Sequence, residues 1–161
     1  LEAVDIDPDS PGPMTELFAY MSFRQRPQVA IDKIRALAEK FPRASAPHRA
    51  LAHIAFSTGD KDAMRGAIRA ALNVATEAEV GDILAESSML LGQSGLPQEI
   101  ITLMEPRRHE IRQPFALLNL ARAYEEVGRT SDARAVLNEL RASAPPQLQP
   151  TIEERLRQLG Q

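Results

Sequence analysis

The sequence predicts an all-α fold: a solenoid of about four antiparallel helix hairpins with a C-terminal capping helix. Three observations carry this expectation. From Met14 onward, apolar residues recur at spacings of three and four, and strict alternation is nowhere sustained. Helix-stopping glycines fall at a nearly constant interval, 36 residues from Gly59 to Gly95 and 33 from Gly95 to Gly128, and counting back 34 from Gly59 reaches Gln25. A period near 34 with two helices per unit is the signature of stacked helical hairpins. The third observation is compositional. Only 4% of the 161 residues are aromatic and none is Trp, while Ala is abundant, so the core must rely on small residues and close helix contacts.

Taken in order, residues 1 to 13 read as a linker or extended arm. Pro8, Pro11, Gly12 and Pro13 interrupt any periodicity there, and Asp5, Asp7 and Asp9 add charge. The chain opens on Leu1 rather than Met, which is expected of a processed chain, a truncated one, or a part excised from something larger. The helical repeat domain spans 14–161, with units at about 11–44, 45–78, 81–113 and 114–146 and a capping helix at about 148–160. Ala30, Ile34, Leu37 and Phe41 form one apolar stripe; Leu117, Leu120, Ala121 and Tyr124 form another; Ala133, Val136, Leu137 and Leu140 form a third. Pro27 and Pro97 suit first turns, and Thr76 with Glu79 and Thr151 with Glu154 fit the capping box. Stops fall at Gly59, Gly95 and Gly128 and before Pro42 and Pro145. In the third unit, Pro106 lies where a second helix should continue, which predicts a break or kink. Leu148, Ile152, Leu156 and Leu159 give the last helix an apolar side, with Glu153, Glu154, Arg157 and Gln158 opposite, as an end cap of a stacked array requires.

The segment from Leu117 to Pro145, LLNLARAYEEVGRTSDARAVLNELRASAP, resembles the tetratricopeptide repeat family. Leu117 stands at the motif's Trp site, and Leu120, Ala121 and Tyr124 stand at its Leu, Gly and Tyr sites. Ala133, Leu137, Leu140 and Pro145 take its Ala, Phe, Ala and Pro sites. The first unit repeats this ending with Ala30, Ile34, Leu37 and Pro42, and the second carries His48, Leu51, Ala52 and Ala55 before Gly59. The third departs most, with Ser87 and Ser88 in place of Leu and Gly and Ile100 in place of the small Ala. The resemblance covers about 130 of the 161 residues and implies a right-handed superhelix whose first helices line a concave groove.

Composition and motifs exclude several functions. Hydrophobic residues make up 43%, charged residues 25% and the net charge is −3, as in an ordinary globular protein and unlike a nucleic-acid binder. No apolar run approaches the roughly 20 residues of a membrane helix. With no Cys there are no disulfides, thiolate nucleophiles or Cys-ligated zinc, and cytoplasm and periplasm remain equally open. Arg outnumbers Lys, which is confined to Lys33, Lys40 and Lys61; with the Ala richness this points to a bacterial source. His48 and His53, five apart, point roughly 140° apart on a helix and do not share one metal. The carboxylate neighbours Glu125–Glu126 and Glu153–Glu154 read as solvated helix surface, as does the basic cluster of Arg107, Arg108, His109 and Arg112. Neither a catalytic constellation nor a cofactor is implied.

Recognition of a protein or peptide is the function that remains. Carrying the family's groove sites onto this chain selects Thr15, Ala19 and Phe23, then Arg49, His53 and Phe56, then Ala85 and Met89, then Phe115, Asn119, Arg122 and Glu126. Of these, Phe23, Arg49, His53, Phe56, Met89, Phe115, Asn119 and Arg122 are the expected contact residues. Rings flanked by Arg suit a ligand with apolar anchors and an acidic group; the alternative is that the rings pack against a neighbouring hairpin. Asn119 sits where the family often binds a peptide backbone. Thr15, Ala19, Ala50, Asp82 and Glu86 occupy the sites of the family's carboxylate clamp and do not reproduce it. The two other readings are a targeting or regulatory domain of a larger enzyme or membrane-anchored protein, and a module that forms a homodimer.

Overall fold

The computed structural model describes residues 7–160, and the expectation for the first six residues of the arm lies outside them. Every regular element among the described residues is helical. They are α1 (Pro11–Phe23), α2 (Pro27–Lys40), α3 (Ala46–Thr58), α4 (Lys61–Val74), α5 (Glu77–Gln93), α6 (Pro97–Met104), α7 (Pro114–Glu126), α8 (Thr130–Ser143) and α9 (Gln149–Gln158). Short 3-10 helices at Glu105–Glu110 and Pro146–Leu148 precede α7 and α9. Among the described residues no helix is long and apolar enough to cross a membrane. The chain divides into two compact units, one up to Glu79 and one from Val80.

Four helices end in the same way. Gly59, Gly95 and Gly128 have φ of 76°, 67° and 78°, and Gln25 has a φ of 58°. These are left-handed conformations that glycine adopts without a Cβ penalty. At each, the amide of the left-handed residue bonds the carbonyl three back, and the next amide bonds the carbonyl five before itself. The pairs for Gln25 are Gln25 N to Ser22 O (2.9 Å) and Arg26 N to Met21 O (2.7 Å); for Gly128 they are Gly128 N to Glu125 O (3.0 Å) and Arg129 N to Tyr124 O (2.8 Å). This Schellman geometry satisfies two orphan carbonyls and reverses the chain, so the next helix packs back on the one before.

Burial follows the same phase. Met21, Ala55, Leu91 and Tyr124 stand four residues before the turn residue and are all buried. Ala30, Met64, Ile100 and Ala133, five after it, and Ile34, Ile68, Met104 and Leu137, nine after it, are buried as well. The interval of four between the last two sets is one helical turn, so each second helix presents one stripe to its neighbour.

In the first unit α1 packs on α2 and α3, α2 on α3, and α3 on α4. Met14, Ile34, Ala46, Ala50 and Ile54 form a core that Phe18, Ile31, Leu37 and Leu51 complete. The start of α3 is tied to the start of α5 by Glu79. Its Oε1 accepts from Ser45 Oγ at 2.6 Å, and its Oε2 accepts from Thr76 N at 2.8 Å and Thr76 Oγ1 at 2.7 Å. Thr76 and Glu79 thus make the reaching-back half of a capping box, with the Thr hydroxyl spent on the same carboxylate.

In the second unit α6 packs on α7, α7 on α8, and α8 on α9. Pro106 has no amide to continue α6, and the chain turns into the 3-10 segment at Glu105. That segment is held by charge. Arg129 donates to both oxygens of Glu105 at 2.7 and 3.2 Å and to Asp132 Oδ2 at 2.6 Å, and its guanidinium lies 4.6 Å from the Tyr124 ring centroid.

Two boundaries differ from the sequence expectation. Helix α1 begins at Pro11, inside the expected arm, because prolines in a first turn lose no helical hydrogen bond and have φ already set. Thr151 does not cap α9, which starts at Gln149 with Pro150 in its first turn. The carbonyls at the end of α8 are met by Gln149 instead, whose Nε2 donates to Arg141 O at 3.0 Å and Ala144 O at 3.1 Å.

Candidate functional site

The second unit contains an open cleft of about 430 Å³ between α5 and α7. Ser88, Met89, Gly92 and Gln93 form the α5 side, and Asn119, Arg122, Ala123 and Glu126 form the α7 side. Ile100 of α6 and Ala123, both buried, close the bottom. The residues at 119, 122, 123 and 126 project from one face of α7 because three- and four-residue steps return to the same side of a helix. Small residues at 92 and 123 leave the space that larger side chains would fill.

The walls offer different chemistry. Ser88 is buried; its hydroxyl donates to Ala85 O at 2.8 Å and accepts from Asn119 Nδ2 at 3.0 Å. This fixes the amide plane of Asn119 and leaves its Oδ1 an acceptor. Met89 is 43% exposed and supplies a flexible apolar surface. Arg122 Nε donates to Glu126 Oε1 at 2.7 Å. An exposed pair four residues apart on a helix contributes only about 0.3–0.5 kcal/mol, so a carboxylate entering the cleft competes with Glu126 at little cost.

Met89, Asn119 and Arg122 therefore line one cleft. Phe115 stands one turn before Asn119 on the same face of α7 and is 67% exposed. Of the first-unit candidates, Arg49, His53 and Phe56 share one face of α3 and are half-buried. The positive charge of Arg49 acts on Glu79, whose carboxyl is held below its ordinary value first by the Ser45 hydroxyl, then by the Thr76 hydrogen bonds, with Arg49 adding to them. Phe23, 84% exposed, ends α1 on the side away from the core.

A second cavity, about 370 Å³, lies in the first unit between α2, α3 and α4. Ile31, Leu51 and Ile54 line it together with the small residues Ala63, Gly66, Ala67 and Ala70 of α4, and His48 stands at its edge. Partial burial pushes the His48 imidazole below its ordinary pKa. The sequence signal for this cavity is the run of small residues on one face of α4, which reads equally as a close helix contact. Among the described residues no group of three or more His, Asp or Glu side chains converges as a metal site would require.

No family model, curated protein or solved structure matches the chain.

Proposed function

We propose that the chain is a non-catalytic protein-interaction module of the tetratricopeptide type, and that the α5–α7 cleft takes an extended peptide or a helix of a partner protein. The observation that carries this reading is the cleft: Met89, Asn119 and Arg122, which the resemblance to tetratricopeptide repeats selects as groove sites, all line it. The recurring Schellman turns and the burial at fixed offsets from them support the repeat reading. The four-hairpin, right-handed superhelical arrangement belongs to the same proposal.

The chemistry of the walls suits one kind of ligand. Met89 and the nearby Phe115 offer apolar contact, Asn119 offers an oriented amide for a peptide group, and Arg122 offers a guanidinium for an acidic side chain or a terminal carboxylate. On α3 of the first unit, Arg49, His53 and Phe56 share one face with a similar mix of a ring and positive charge.

Selection of a random peptide library displayed on phage tests the proposal. The expected result is enrichment of peptides that combine an apolar anchor with an acidic residue. Met89→Asp and Arg122→Glu should each weaken the enriched peptides tenfold or more, about 1.4 kcal/mol, with the helical circular dichroism unchanged. Peptides that bind wild type and both variants equally would remove the cleft from consideration.

A further inference from the structure

Helix α1 is apolar on nearly every side, yet it is buried on only one. Met14, Phe18 and Met21 lie within an arc of about 60° and face the first unit's core. On the opposite arc stand Glu16, Tyr20 and Phe23, with Tyr20 48% and Phe23 84% exposed, and Val29 of the next helix is exposed as well. A helix whose outward face carries large apolar side chains is unusual on a monomer, and such a patch marks a contact surface.

The charges on this face are arranged symmetrically. Glu16 is the only charged residue within α1, and Arg24 caps the helix, four residues before and four after Tyr20. Among the described residues neither has an ion-pair partner, and the Arg24 guanidinium lies 6.0 Å from the Tyr20 ring centroid. If two such helices cross antiparallel about a two-fold axis at Tyr20, each Glu16 meets the other copy's Arg24, and each Leu17 approaches the other copy's Phe23. A parallel pairing would set Glu16 against Glu16. Self-complementarity of this kind is what an isologous contact requires, since residue i meets j and j meets i, whereas a different partner protein imposes no such symmetry.

We propose that the outward face of α1 is a homodimer interface, closed by an antiparallel second copy of α1. The interface is small, since a helix of 13 residues is roughly 20 Å long. Dimerisation is therefore concentration-dependent. The proposal is independent of the α5–α7 cleft, which uses other helices.

Sedimentation equilibrium of the full chain over a range of concentration tests it. Wild type should approach twice the 17.7 kDa chain mass at high micromolar concentration. Glu16→Arg and Arg24→Glu, each of which opposes like charges, should weaken association tenfold or more, and Phe23→Asp should abolish it. The double variant carrying both charge reversals should regain most of the wild-type association, which a merely misfolded variant could not. A wild type that stays monomeric overturns the proposal, as does a dimer indifferent to the single reversals or a double variant that is not rescued.

Discussion

Gln25 shows what the repeat costs at the scale of one residue. It occupies the left-handed position that glycine fills at 59, 95 and 128, with the same two backbone hydrogen bonds. A side chain in that region is disfavoured by roughly 1–2 kcal/mol, part of which glycine would return as lost chain entropy. Gln25→Gly should therefore stabilise the protein by about 0.5–1 kcal/mol, and Gly59→Ala should destabilise it by a similar amount. Denaturant midpoints at constant slope provide the check. The glycines were legible as stops in the sequence because their conformation is local. Gln25 was reachable only by counting back one period, since Gln has no preference for the site. The same distinction holds in the cleft. Met89, Asn119 and Arg122 come only from the resemblance to a family's groove sites, while the depth of the cleft depends on Gly92, Ala123 and Ile100, and on a Ser88–Asn119 bond between residues 31 apart that no local pattern announces.

Between elements, close approach and charge decide where segments lie. A Cβ on Gly81 of α5 would stand 2.9 Å from the carbonyl oxygen of Glu110, at the end of the 3-10 segment, with Gln113 Oε1 next nearest at 3.7 Å. Because the nearer obstacle is backbone, Gly81→Ala should cost about 1–3 kcal/mol by overpacking. Hydrogen exchange should localise the loss of protection to residues 105–113. In the first unit, Glu79 is held below its ordinary 4.5 chiefly by the Ser45 hydroxyl. A depressed carboxylate contributes stability that is present above its unfolded pKa and lost as pH falls through the folded value. The melting temperature should thus fall on acidification below about pH 4.5. Glu79→Gln should lower stability at neutral pH and reduce that dependence, as thermal melts across the range would show. The break at Pro106 was readable because proline acts on its own helix. The Arg129–Glu105–Tyr124 cluster that receives the broken end was not, because it joins the 3-10 segment to α7 and the turn after it, about 20 residues further on. Glu105 is held down by the Arg129 guanidinium, while burial and Glu105 push the Tyr124 hydroxyl up to about 12. The cluster therefore keeps its charges near neutral pH.

For the molecule as a whole, the all-helical class follows from spacing alone, because apolar steps of three and four are incompatible with a strand's alternation. The scarcity of aromatic residues also acquires a meaning. Tyr124 is the one ring among the largest fully buried side chains, while Tyr20, Phe23 and Phe115 stand in solvent. Ala at 30, 50, 71, 121 and 133 lets the helices approach closely enough to bury Leu, Ile and Met without rings. The rings left outside lie beside the α5–α7 cleft and on the outward face of α1, the two surfaces proposed for contact. Chemical-shift mapping of the full chain titrated with a phage-selected peptide tests the proposal that the α5–α7 cleft receives a peptide. Saturable shifts concentrated at Ser88, Met89, Gly92, Asn119, Arg122 and Ala123 are expected, as is their loss in Arg122→Glu. Shifts centred elsewhere, with these residues unmoved at saturation, would contradict it.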